Sequence, residues 1–435
     1  MMYKITKNKE IVFSSKEDIS NFQNEELKKL LIYLKEHSAF YQQQFKDNNI
    51  DINSINNTED LLQFPTTSKD DFIGNESAFI CVDNDELIDF VTTSGTSGEP
   101  VTFALTNNDL DRLAYNEYLS FTTASCSKKD KIQLMTTIDR RFMAGLAYFL
   151  GAKELGSGII RVGNGIPELQ WDTINRMHPS CCIVVPSFLL KLVEYAEKNN
   201  IDFNNSSLRS ALCIGEPIRK NDFSLNTLGK KINDKWPNLK LYSTYASTEM
   251  QSSFTECEKS NGGHHQPELI IIEFLDDEGD RVDEDSLGEL TITTLGVEGM
   301  PLLRFRTGDM CYHFNQKCEC GRNTVRVGPV VGRKGQMIKF KGTSIYPTAF
   351  NDILDSIPNV TNYIIEVYTN NIGTDGVRIK VGSQDKSDEF SKEIKDIFRS
   401  KVRVAPDVVF EEVENINSLQ MPATSRKRNK FIDLR

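Results

Sequence analysis

At 435 residues and 49.4 kDa the chain exceeds one ordinary hydrophobic core, so two or three domains are expected. A net charge of −11, with 39% hydrophobic and 26% charged residues, describes a globular protein and argues against nucleic acid or a membrane surface as partner. No apolar run reaches the ~20 residues of a membrane span, the first residues do not read as a signal peptide, and the nine cysteines are not expected to form a disulfide framework, so a cytoplasmic location is expected.

Residues 15–47 read as helix, with Leu27, Leu30, Leu31, Leu34 and Phe40 recurring mostly at three- and four-residue intervals amid charge. Residues 57–74 hold a loop around Pro65 and a capping-like Thr67-Ser68-Lys69-Asp70. The most informative stretch follows: Thr92-Thr93-Ser94-Gly95-Thr96-Ser97-Gly98-Glu99-Pro100, set between apolar 88–91 and Val101-Thr102-Phe103. Its five hydroxyl residues and two glycines predict strand, loop and strand. Such a loop offers short O–H and N–H donors to a polyphosphate, and its glycines let the backbone approach closely. It is not a Walker A sequence, because no Gly-Lys-Ser/Thr follows at the required spacing. By itself the composition also suits a flexible surface turn.

A helix is expected over 107–121, with Leu110, Leu113, Ala114 and Leu119 as its apolar positions. Strands at 132–137, 158–162, 182–185 and 210–214 then alternate with helices at 143–155, 169–177 and 187–198, which implies parallel, doubly wound sheets. From residue 268 the pattern turns β-rich, with strands at 269–274, 288–294 and 310–314. Gly332-Arg333-Lys334-Gly335 is a glycine-flanked charged break. Beyond it a helix at 348–356 and strands at 363–368 and 376–381 fit a small domain of their own. The expected fold is α/β: a large N-terminal body of doubly wound sheets plus a β-rich subdomain over 1–332, and a small mobile α+β C-terminal domain over 333–435.

Five further segments stand in order after the loop. Ser206-Ser207-Leu208-Arg209 leads into Gly215-Glu216-Pro217, and Tyr245-Ala246-Ser247-Thr248-Glu249 follows. Then come Gly288-Glu289-Leu290 through Arg304-Phe305-Arg306-Thr307-Gly308-Asp309, and Gly332-Arg333 through Lys341-Gly342. The last is the basic Arg426-Lys427-Arg428 with the ending Phe431-Ile432-Asp433-Leu434-Arg435. Together the six motifs resemble those of adenylate-forming enzymes. From about residue 60 onward the chain is most similar to the phenylacetate–coenzyme A ligase branch of that superfamily.

The resemblance implies a carboxylic acid joined to the α-phosphorus of ATP with loss of pyrophosphate, followed by thioester formation with coenzyme A. Thr93, Ser94, Gly95, Thr96, Ser97 and Gly98 would hold the β- and γ-phosphates. Thr248 would donate to the α-phosphate, and Glu249 would bind Mg²⁺, a hard carboxylate for a hard ion. Asp309 would accept from the ribose hydroxyls. Gly215, Glu216, Pro217 and Tyr245, with the adjoining Ala246 and Ser247, would line the adenine slot. Arg333 would contact phosphate or ribose, and Lys427 would reach the reacting carboxylate from the small domain. Glu249 also reads as a helix-start carboxylate, Asp309 as a turn residue and Lys427 as a solvated tail lysine.

The chain departs from the family in three places. Glu99 replaces the usual lysine after the loop, Arg426 stands where a glycine precedes the catalytic lysine, and Gly335 replaces the hinge acid. Glycine still permits the backbone change that a domain rotation needs.

Cys318 and Cys320 form a short knuckle, and Cys257 precedes His264 and His265. Cys257, His264, Cys318 and Cys320 suit a tetrahedral structural Zn²⁺ without an open position, with His265 as substitute for His264. Buried free cysteines would explain the same pattern. Cys311 and Cys181-Cys182 are assigned to strands and core. By resemblance, residues 139–148 form the acyl pocket, where Phe142, Ala144, Gly145, Tyr148 and Ala246 leave a flat apolar space for an aryl group. Arg140 and Arg141 would favour a second anionic group or ring hydroxyls, or else pair with surface acids.

The expected partner is a small carboxylic acid, and a homodimer fits the family's habit. An amine or carrier protein as acceptor, a kinase-type NTPase, and a nucleotide-binding protein without turnover are the rival readings.

Overall fold

The computed structural model describes residues 3–93, 100–340, 343–371, 373–421 and 428–435. The chain divides into two compact units, Met1–Val330 and Val331–Arg435.

The expected first helix is two, α1 (Lys16–His37) and α2 (Ala39–Asp47). They part at Ser38, whose hydroxyl oxygen accepts the Tyr41 N–H and caps a new helix. Strands β1 (Leu87–Thr92) and β2 (Thr102–Thr106) form an antiparallel hairpin separate from the main sheet. Helix α3 (Asn107–Thr123) opens with a capping box between Thr106 and Asp109.

The βα alternation runs through β3 (Lys131–Leu134), α4 (Met143–Leu155), β4 (Gly158–Arg161), α5 (Pro167–Met177) and β5 (Cys181–Val184). It continues through α6 (Pro186–Lys198), β6 (Ser210–Ile214), α7 (Thr227–Lys235) and β7 (Lys240–Ser247). These strands pair in parallel in the order β7-β6-β5-β3-β4, as helical crossovers require. The chain then stays extended in β8 (Ser252–Glu256), β9 (Gly263–His264), β10 (Ile270–Leu275), β11 (Leu287–Thr294), β12 (Phe305–Phe314) and β13 (Arg326–Arg333).

These six prolong the parallel sheet in the order β10-β11-β12-β13-β9-β8-β7. The β-rich segment is therefore the antiparallel half of one mixed sheet and not a sheet of its own. Strand β12 begins five residues ahead of the expected 310, because its polar start is paired: Arg306 meets Glu289 at 2.5 Å.

The core of this unit lies on both faces of the sheet. One cluster gathers Leu27, Phe72, Phe103, Leu290 and Phe305; another gathers Trp171, Leu192 and Trp236. Each such side chain contributes about 1.5–3 kcal/mol on burial.

The second unit holds β14 (Ile338–Phe340), β15 (Thr343–Ile345), α8 (Pro347–Asp355), β16 (Asn362–Thr369), β17 (Asp375–Gly382), α9 (Asp388–Val402), β18 (Asp407–Glu411), α10 (Val413–Gln420) and β19 (Phe431–Asp433). Its four-stranded sheet, β18-β17-β16-β19, packs Ile365 and Ile379 against Phe350 of α8 and Ile394 and Phe398 of α9. Among the described residues no helix is long and apolar enough to cross a membrane.

Candidate functional site

Of the Ser/Thr/Gly loop, Ser94, Gly95, Thr96, Ser97, Gly98 and Glu99 lie outside the described residues. The base of the loop is closed by Thr93. Its N–H donates to Val101 O at 2.9 Å, and its hydroxyl oxygen accepts the Val101 N–H at 3.0 Å. The neighbouring Thr92 N–H donates to Arg141 O at 3.1 Å, which ties the loop's base to the expected acyl segment. In that segment Arg140 and Arg141 are exposed and take left-handed φ values of 59° and 56°, each costing a non-glycine residue about 1–2 kcal/mol.

Phe142 and Ala144 are half-buried. Gly145 is needed for close approach, since a Cβ there would stand 2.0 Å from Thr137 O. Tyr148 is only 2% exposed and packs in the core against Phe121, so its ring faces the interior of the body.

Of the expected nucleotide residues, Tyr245, Ala246 and Ser247 lie on β7 and Asp309 on β12. The Tyr245 hydroxyl donates to Asp309 Oδ2 at 2.7 Å. Asp309 is aimed by the local backbone. Strands β11 and β12 lose register between Glu289 and Thr291, and Gly308 takes φ +77°, which suits glycine. Glu289 Oε1 accepts the Gly308 N–H, and Thr307 Oγ1 accepts the Asp309 N–H.

Ser247 Oγ accepts the Met250 N–H at 3.3 Å and closes the turn that presents half-buried Thr248 and Glu249. Ala246 is exposed. Gly215 and Pro217 are exposed, whereas the Glu216 carboxylate is engaged at the start of α6. It accepts Ser187 N–H at 2.8 Å and the Ser187 hydroxyl at 3.0 Å. That is a favourable place for a carboxylate, and it gives Glu216 a structural task in addition to any at the adenine slot.

The sequence reading passed over a polar stripe on α3. Asp109, Arg112, Asn116 and Ser120 recur at three- and four-residue intervals, and all four are buried. Arg112 donates to Gln251 O at 2.5 Å, Leu269 O at 2.6 Å and Leu295 O at 2.7 Å. Asn116 Oδ1 accepts the Ser253 N–H, and Ser120 bonds Thr255 at 2.6 Å. The stripe thus holds β8 and the end of the Thr248–Glu249 turn. Its helical spacing was the available signal, hidden because polar residues at such positions usually face water.

Cys257, His264, Cys318 and Cys320 meet with their ligand atoms within 4.8 Å of one another. Cys257 and Cys318 Sγ are 3.8 Å apart, and Cys320 Sγ lies 3.5 Å from His264 Nε2. Ligands about 2.0–2.3 Å from a tetrahedral zinc stand roughly 3.5–3.8 Å apart. The buried His264 Nδ1 has no hydrogen-bond partner among the described residues. His265 faces away, its Nε2 2.6 Å from Ile270 O, and burial pushes its pKa down to about 4.

In the second unit Arg333 ends β13 half-buried. Arg426 and Lys427 lie outside the described residues. Immediately after them Arg428 donates to Gln420 Oε1 at 3.1 Å and Asn429 N–H to Gln420 O at 2.8 Å. Lys430, the other lysine of the tail, is engaged with Tyr363 Oη at 2.9 Å and Asp355 at 3.3 Å.

A family model of AMP-binding enzymes matches residues 11–298, and a model of the AMP-binding enzyme C-terminal domain matches residues 342–435. The chain is 29% identical over 385 residues to a phenylacetate-coenzyme A ligase of Thermus thermophilus, spanning 87% of this chain and 84% of that one. It is 25% identical over 450 residues to a phenylacetate-coenzyme A ligase of Escherichia coli K12, at 99% and 98% coverage. A solved 2-hydroxyisobutyryl-CoA ligase in complex with R3-HIB-AMP superposes with a TM-score of 0.84 at 20% identity, over 98% of this chain and 92% of that one. At that identity the likeness is one of fold.

Proposed function

The chain belongs to the AMP-binding enzyme family, and from that premise we propose that it activates a small or aromatic carboxylic acid as an acyl adenylate and passes the acyl group to coenzyme A. One observation carries the reading: Tyr245 and Asp309, 64 residues apart in the chain, share a 2.7 Å hydrogen bond beside the Thr248–Glu249 turn, a ready-made acceptor for a ribose. The phenylacetate-coenzyme A ligases among the relatives support an aryl or arylalkyl acid and coenzyme A as acceptor.

In the first step a carboxylate oxygen attacks the α-phosphorus in line and pyrophosphate leaves. Charge builds on phosphate oxygens, so positioned donors and cations are the main lever. Thr93 and residues 94–98 would hold the β- and γ-phosphates, Thr248 the α-phosphate, and Asp309 the ribose. Lys427 would neutralise the attacking carboxylate and the bridging oxygen, and Arg333 would contact phosphate or sugar. Glu249 would hold a Mg²⁺, which when bound offsets the phosphate charge. In the second step the coenzyme A sulfur attacks the acyl carbonyl and AMP departs with the bond's electron pair.

Cys257, His264, Cys318 and Cys320 would hold a structural Zn²⁺. Three sulfurs and one nitrogen fill a tetrahedral shell and leave no position for substrate. None of the nine cysteines is in a disulfide, which supports a reducing compartment, the cytoplasm.

The test is pyrophosphate release from ATP against a panel of aryl and short-chain acids, with and without coenzyme A, resolving AMP from ADP. Acid-dependent AMP that rises with coenzyme A is the expected result. ADP, or no dependence on any acid, overturns the reading, and turnover stimulated by an amine or carrier protein instead would reassign the acceptor.

A further inference from the structure

Strands β7 and β12 are not neighbours. Strands β8, β9 and β13 lie between them in the sheet order, so a flat sheet would hold them about 19 Å apart. The 2.7 Å bond between Tyr245 Oη and Asp309 Oδ2 therefore requires this part of the sheet to curl until a tyrosine on one strand reaches a carboxylate on the other. The Tyr245 ring is held in place by stacking on Phe254 at 5.8 Å and 26°. Asp309 is 6% exposed, and its backbone is fixed by the register shift and by Thr307.

We propose that Tyr245 is the positioning residue for the ribose carboxylate: its phenolic O–H selects the Asp309 rotamer that receives the sugar, so Tyr245 governs how strongly the site reads ribose hydroxyls. The inference rests on the adenylation reading above and deepens it. A carboxylate offers about four acceptor directions, enough for the phenol and two sugar hydroxyls together. Loss of the phenol removes the contact that fixes the Oδ2 side of the carboxylate, so part of its orientation is lost before any sugar contact is made. The phenol thereby adds to the ring's own place beside the base.

Tyr245→Phe keeps the ring and deletes the O–H. The expected result is a KM for ATP raised about tenfold, as for one charge-assisted hydrogen bond, with a smaller effect on kcat. The sharper readout uses 3′-deoxy-ATP. The unaltered protein should bind it several-fold more weakly than ATP, and in Tyr245→Phe that preference should shrink towards one. Adding Tyr245→Phe to Asp309→Asn should cost little beyond Asp309→Asn alone, because the group being positioned is already gone.

An unchanged KM overturns the proposal. So does equal weakening of ATP and 3′-deoxy-ATP with the ribose preference intact, which would mark Tyr245 as merely structural, and so do fully additive effects in the double variant. If the unaltered protein binds no ATP, the adenylation reading falls and takes this inference with it; binding that survives while the Tyr245 effects fail removes this inference alone.

Discussion

Strand β8 is built differently at its two ends. At one end of β8 stand Tyr245 of β7 and the Thr248–Glu249 turn, facing Asp309 midway along β12. These are polar groups oriented by a few hydrogen bonds such as the 2.7 Å Tyr245–Asp309 contact. At the other end Cys257, His264, Cys318 and Cys320 face one another within 4.8 Å. The first group is proposed to serve a ligand, and the second directs its sulfur and nitrogen atoms at one another. A sheet knotted at one end can hold polar groups in position at the other.

Substitutions at the two ends should therefore separate activity from stability. The largest effect is expected from Lys427→Ala, which removes the cation proposed to complete the open end. Acid-dependent pyrophosphate release should fall about 10²–10³-fold while ATP binding and melting temperature persist, and unchanged release would show that another residue does this work.

Asp309→Ala should come next, weakening ATP binding about 10–100-fold at constant melting temperature; calorimetric titration that finds native affinity would take Asp309 out of the ribose site.

The knot should show the reverse pattern. Chelation or Cys318→Ser should release bound zinc and lower the melting temperature by roughly 10 °C, with activity declining only as folded protein is lost. Metal analysis finding no zinc in the native protein would dismiss the knot as a metal centre.

The smallest effect is expected at Glu117, buried on α3 and remote from both ends in role, where burial pushes the carboxyl from 4.5 up to about 8. The folded chain keeps a proton there that the unfolded chain releases, so this group's contribution is greatest below its unfolded pKa and declines as pH rises through the folded value. Glu117→Gln should flatten that decline, raising the melting temperature by a few degrees near pH 8 and leaving it unchanged near pH 5. Parallel melting curves for the two proteins across that range would refute it.

What could be read without the structure was local. The βα alternation between residues 131 and 214 depends on short apolar periods, and the motifs, including the Cys/His spacing, depend on residue types a few positions apart. The hairpin of β7 and β8 was not legible, because β8 is Ser-Ser-Phe-Thr-Glu and buried throughout. Its serine and threonine side chains are met by Asn116 and Ser120 of a helix some 135 residues away and Glu256 by Arg219, so no hydrophobic alternation marks the strand. Periodicity likewise showed α3 as an apolar stripe and missed the buried polar one beside it.

The sequence by itself determined which chemical groups the protein carries and the order in which its strands and helices are made, since both are set by neighbours along the chain. Only the tertiary structure decided how each group is used. It directs Glu216 to the start of α6, Tyr148 into the core, His264 rather than His265 among the thiols, and the Tyr245 phenol onto Asp309. Each of these choices is made by partners tens of residues distant, through contacts that exist only once the sheet has formed and its faces are covered.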